Sequence, residues 1–116
     1  MERTYNKLVR DRIPDIIFSN NETPVTRILN YAEYKKALEE KLYEEYEEVL
    51  SSDGCDRCEE LADMIEVISS LAKIENKTLE EIINLAEEKR AKRGGFDNKI
   101  FLEKVIEADG YLAIRD

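Results

Sequence analysis

The sequence predicts an all-α protein, on three observations. Four glycines and two prolines in 116 residues are too few for the turns of a many-stranded β protein. Apolar residues, 42% of the chain, recur with the 3.6-residue period of helices. Capping residues precede the periodic stretches and turn residues follow them. One domain over residues 1–116 is expected, because domains commonly run to about 100–150 residues.

Pro14 fits the first turn of a short helix through Phe18, and Ser19-Asn20-Asn21 ends it. Pro24 to Leu29 fits a short extended piece. Asn30 and Glu33 have the N-cap and N3 chemistry of a helix start, which predicts a first long helix over about residues 31–51. Ser51-Ser52-Asp53-Gly54 stops it, and Asp56 offers a cap for a second long helix to about Glu75. After the Asn76-Lys77 turn, Thr78 and Glu81 form another capping box, and a third long helix over about 79–93 ends at Gly94-Gly95. Lys99 to Ile106 fits either a strand or a short helix.

Charge narrows the chemistry. The 27 acids and 18 bases leave a net charge of −9, and histidine is absent. A Ser-His-Asp or Cys-His nucleophile, a His-ligated zinc and a carboxylate-histidine di-iron bundle are excluded, so carboxylates must do any metal work. Thirteen acids and four bases fall in residues 33–66, so that stretch carries the whole net charge. Repulsion from phosphate disfavours a broad nucleic-acid face. Apolar runs such as Ile16-Ile17-Phe18 are far shorter than the roughly 18 residues that span a bilayer, and no signal peptide opens the chain, so a soluble, cytoplasmic protein without a membrane partner is expected.

On the first long helix the apolar stripe Leu38-Leu42-Val49 contains Glu45, and Glu48 lies at its edge. On the second, Leu61, Ile65, Ile68 and Ala72 form the expected central stripe, with Met64, Val67, Leu71 and Ile74 widening it to one side. Glu60 projects within that widened arc and Asp63 at its margin. A carboxylate on an inward face makes sense only if positive charge meets it. Helices joined by a short turn are antiparallel neighbours, so the two i,i+3 acidic pairs can converge on one cleft. Oxygen-only ligands suit Mg²⁺ or Mn²⁺. The alternative is a set of solvated helix faces with structural ion pairs, and Glu39, Glu40, Glu47, Glu59 and Glu66 are read that way.

Lys89, Arg90, Lys92 and Arg93 cluster at the end of the third helix, and Lys7, Arg10 and Arg12 cluster near the N-terminus. Bases suit a helix C-terminus through its dipole, and they also suit the outer phosphates of a metal-bound polyphosphate. Tyr5, Tyr34, Tyr43 and Tyr46 fit packing or dimer contacts better than base stacking. Cys55-Asp56-Arg57-Cys58 is a single C-x-x-C, read as two reduced thiols in the loop, with redox control or an intersubunit metal as alternatives.

The order Glu44-Glu45-x-x-Glu48, Glu60-x-x-Asp63, then Lys92-Arg93-Gly94-Gly95-Phe96, with the opening Tyr5-Asn6-Lys7-Leu8-Val9-Arg10-Asp11-Arg12-Ile13-Pro14, resembles the all-α nucleoside triphosphate pyrophosphohydrolases, the MazG-like and phosphoribosyl-ATP pyrophosphohydrolase-like group. The matches span residues 5 to about 102. The resemblance implies a MazG-like bundle that binds Mg²⁺ and cleaves a nucleotide between its α and β phosphates, giving a monophosphate and pyrophosphate, with a house-cleaning role. It implies Glu45, Glu48, Glu60 and Asp63 as metal ligands, Glu44 and Glu45 as catalytic acids, and Lys7, Arg10, Lys89 and Arg93 as substrate-binding bases. Only eleven residues separate Glu48 from Glu60, so residues outside the acidic motifs have to shape any base pocket. The expected fold is therefore three long helices with short flanking elements, completed by self-association as a homodimer or homotetramer, since a domain this small gains by burying an apolar arc against another copy. Two alternatives stand beside it: the phosphoribosyl-ATP reaction of histidine biosynthesis, and a non-catalytic acidic helical interaction module.

Overall fold

The computed structural model describes residues 1–108 and contains four helices: α1 (Ile13–Ser19), α2 (Tyr31–Leu50), α3 (Gly54–Ile74) and α4 (Leu79–Arg93). No strand occurs among the described residues, and residues 109–116 of the expected 1–116 domain lie outside them. Two compact units divide the chain, Met1–Asn84 and Leu85–Asp116. Among the described residues no helix is long and apolar enough to cross a membrane.

Local chemistry sets the helix ends. The Asn30 side chain accepts from the Glu33 amide at 2.9 Å, and the Glu33 carboxylate accepts from the Asn30 amide at 3.2 Å. This reciprocal pair satisfies two N–H groups that the helix itself leaves without partners. Thr78 and Glu81 repeat it at the start of α4, where the Thr78 hydroxyl accepts from the Glu81 amide at 3.1 Å and the Glu81 carboxylate accepts from the Thr78 amide at 3.2 Å. Asn76, at φ +59°, takes the left-handed conformation that closes α3, and the Lys77 amide donates back to the Ala72 carbonyl at 2.9 Å. Gly94, at φ +80°, does the same for α4.

The start of α3 corrects the sequence expectation. The helix begins at Gly54 rather than after Asp56, preceded by an extended Asp53 whose side chain makes no capping hydrogen bond. Gly54 sits at φ +56°, which glycine adopts at no steric cost, and this lets the chain turn into the helix three residues early. Asp56 then lies in the first turn, where its charge faces the positive end of the helix dipole. Cys55 and Cys58 consequently sit on the helix and not in a loop, both free and exposed. Between them Arg57 donates from Nε to the Ser52 carbonyl at 2.8 Å and ties down the turn from Ser51 to Asp53.

α2 packs on α3. Leu38 is buried on α2, and Val67 and Ala72 are buried on α3. The α3 face is rotated from the one expected over its first half: Leu61 and Ile65 are 42% and 50% exposed, whereas Ile68 is half-buried and Ala72 buried as expected, with Val67 buried and Met64, Leu71 and Ile74 half-buried beside them. The arc that packs inward runs through 60-64-67-71-74, in alternating steps of four and three, with Ala72 beside it. That rotation places Glu60 in line with the inward stripe rather than at its side. Pro24 to Leu29 and Lys99 to Ile106 form neither strand nor helix, because a strand needs a paired edge and none is available among the described residues.

Candidate metal centre

Glu45 stands on the Leu38-Leu42-Val49 stripe of α2 and is 7% exposed. Glu60 and Asp63, both half-buried, come from the first turns of α3 that the short connection folds back beside α2. One oxygen from each of these three carboxylates lies within 4.8 Å of the others. The residues expected from pattern to be solvated, Glu39, Glu40, Glu47, Glu59 and Glu66, are all exposed.

Two other acids take different places. Glu48 is exposed and stands outside the gathered trio, although its charge reaches Glu60. Glu44 is half-buried and lies 3.4 Å from Lys41 and 3.6 Å from Lys7. Of the N-terminal bases, Arg10 donates to Asp63 Oδ1 at 2.8 Å, so it meets a carboxylate of the trio directly. Lys7, whose Nζ lies 5.8 Å from the centroid of the Tyr5 ring, sits against Glu44.

Sequence reasoning gave Lys41 no role. Its ammonium is 3.8 Å from Glu45 and 3.4 Å from Glu44, and its side chain is only 19% exposed. The signal was its spacing, four residues before an acid on the inward stripe, where helix geometry brings the two side chains together.

Electrostatics follow from this crowding. Burial pushes the Glu45 carboxyl above its ordinary value, Lys41 opposes that, and Asp63, Glu44 and Glu60 push it further up. Glu60 is also raised, by burial first and then by repulsion from Glu48, Asp63, Asp56 and Glu59. Glu44, Glu45, Glu48, Glu60 and Asp63 are met by Lys7, Arg10 and Lys41, which leaves two negative charges uncompensated among these eight residues. The donor set is all oxygen, carries surplus negative charge and comes from two helices, which fits a hard divalent cation that keeps positions open for water or phosphate oxygens.

No family model matches the chain, and no solved structure matches it. An uncharacterized protein of Mycolicibacterium smegmatis is 48% identical to it over 50 residues, 43% of this chain and 51% of that protein. The chain thus spans about half the length, 51%, of the curated relative it matches.

Lys89 and Arg93 belong to the second unit and are exposed. Arg93 and Lys99 line a concavity of about 280 Å³ formed by residues 93–100. Cys55 and Cys58 stand outside the gathered carboxylates. Tyr43 and Tyr46 are exposed on α2 with ring centroids 6.0 Å apart.

Proposed function

We propose that the protein is a divalent-metal-dependent nucleotide pyrophosphohydrolase, a MazG-like enzyme that cleaves between the α and β phosphates to yield a nucleoside monophosphate and pyrophosphate. The observation that carries this is the gathering of Glu45, Glu60 and Asp63 within 4.8 Å on the inner side of the α2–α3 pair. Three carboxylates so close repel one another, and a buried one among them is sustained by positive charge.

In this reading Glu45, Glu60 and Asp63 hold Mg²⁺ or Mn²⁺, with Glu48 reaching in from the next turn of α2. The ion supplies Lewis acidity toward phosphate oxygens and lowers the pKa of water. Glu44, held beside the trio by Lys41 and Lys7, takes the proton from the attacking water. Lys7 and Arg10, the bases that meet Glu44 and Asp63, take the departing phosphates. The bundle is completed as a homodimer or homotetramer. Support for this comes from Leu61, Ile65, Tyr43 and Tyr46, which leave apolar and aromatic surface exposed beside a core of three buried apolar side chains.

One observation favours the interaction-module reading. Lys41 gives Glu45 the partly buried base that a non-catalytic protein needs there. It is shared with Glu44, however, and does not neutralise the trio.

Product analysis decides between the readings. With Mg²⁺ and a panel of nucleoside triphosphates, phosphorus NMR is expected to show monophosphate and pyrophosphate. Inorganic phosphate with a diphosphate refutes the bond assignment, and no turnover with any nucleotide supports the interaction module.

A further inference from the structure

We propose that Arg10 is a built-in counter-ion of the acidic trio, which a divalent cation displaces from Asp63 when it binds. This rests on the metal reading of the trio and assigns a second state to one of its neighbours.

Asp63 occupies two positions at once. It contributes an oxygen to the gathered trio, and its Oδ1 accepts from the Arg10 guanidinium at 2.8 Å. The contact joins residues 53 positions apart, so it belongs to the tertiary fold and not to a helix turn. Arg10 is held from its own side as well, because its carbonyl accepts the Ile13 amide at 3.0 Å in the turn that leads into α1. The guanidinium therefore reaches Asp63 from a backbone point that this turn holds. Both side chains are about half exposed, 55% and 45%, so the guanidinium has solvent to swing into.

Charge sets the direction of the exchange. A guanidinium on Asp63 offsets one of the three charges, weakens two of the three mutual repulsions and leaves a surplus of two negative charges among the eight residues of the site. A divalent ion seated among the three oxygens supplies that charge, withdraws Asp63 from Arg10 and repels the guanidinium. The displaced side chain remains tethered at the rim, where it meets an anionic oxygen arriving with the metal. Lys41 is different: it lies on the same helix as Glu45, keeps Glu44 at 3.4 Å and is mostly covered, so it stays.

Calorimetric titration with Mn²⁺ or Mg²⁺ alone and thermal melts with and without metal test this on the full chain, as wild type, Arg10→Gln and Arg10→Lys. Arg10→Gln removes the competitor, so metal Kd is expected to tighten by about two- to tenfold, the scale of an exposed ion pair acting against a doubly charged ion. The same variant melts below wild type without metal, and the deficit shrinks at saturating metal, since the tighter-binding form gains more from the ligand. Arg10→Lys keeps the charge and stays within about twofold of wild-type Kd. If Arg10→Gln binds metal as wild type does and its melting deficit is the same with and without metal, Arg10 is only a strap on the N-terminal segment and the proposal fails while the metal reading stands. If wild type itself shows neither heat nor a melting shift, the metal reading falls and the proposal with it.

Discussion

Replacing Glu45 by glutamine keeps the shape of the side chain and removes one charge from the crowded trio. At 4.8 Å, the outer limit of the separation between these oxygens, two unit charges repel by about 0.9 kcal/mol in water and about 3.5 kcal/mol at an effective dielectric constant of about 20. Glu60 and Asp63 are half-exposed, so the lower end applies. The substitution relieves two such repulsions and gives up the attraction of Lys41 at 3.8 Å, a net gain of about 1 kcal/mol with the relief of desolvation in the same direction. Lys41 is not stranded, because Glu44 remains 3.4 Å away. In low salt without metal, Glu45→Gln is therefore expected to melt about 4–8 °C above wild type. Adding Mg²⁺ at a hundred times Kd stabilises wild type by about 2.7 kcal/mol, and the variant loses most of that shift together with about two orders of magnitude or more in hydrolysis rate. Glu47→Gln, two residues on and exposed, matches wild type in all three measurements. Scanning calorimetry and a pyrophosphate-release assay read the pair. A variant at position 45 that melts lower without metal, or keeps its metal shift and activity alongside Glu47→Gln, refutes the placement of this carboxylate at the centre of the site.

Two further outcomes bear on the scaffold. Because the Glu45 and Glu60 carboxyls are raised from 4.5, the folded chain holds more protons than the unfolded one between that value and their folded pKa values. Metal-free stability should thus rise as pH falls through that window, then decline below 4.5 as Glu33 protonates, since Arg27 and the Asn30 amide hold Glu33 below its ordinary value. Urea midpoints across pH check the sign, and a monotonic loss of stability from neutral pH downwards contradicts it. Asn30→Ala breaks the capping box of α2 and is expected to lower stability by about 1 kcal/mol in the same urea titration. A change below about 0.3 kcal/mol would mean that packing, rather than the cap, fixes that end.

What was legible in the sequence was whatever depends on near neighbours. Asn30 with Glu33, Thr78 with Glu81 and the glycine after Arg93 act over three or four residues, and the helix ends they predict lie within about one residue of those observed. The start of α3 was misplaced because Asp56 has cap chemistry, whereas the left-handed Gly54 had already turned the chain. The first half of the inward face of α3 differs from the expected one because Leu61 and Ile65 are as apolar as Met64 and Val67. Helical periodicity on an apolar-rich helix gives a wide arc, and only packing against α2 chooses its centre. Glu45 was visible as an acid on an apolar stripe. The contact between Arg10 and Asp63 was not, since pairing across 53 residues leaves no local spacing to read.

The turn between α2 and α3, only Ser51 to Asp53, has a consequence for the order in which the protein is made. Glu45 precedes Glu60 by 15 residues and Asp63 by 18, and Arg10 lies upstream of them all. Every side chain that meets at the trio is therefore outside the ribosome once α3 has emerged, before α4 has left the exit tunnel. Contacts of such short sequence separation close early, because little chain entropy is lost in joining them. An ion captured by this hairpin would favour its closure during synthesis, so the acidic trio would act on the nascent chain as well as in the finished protein.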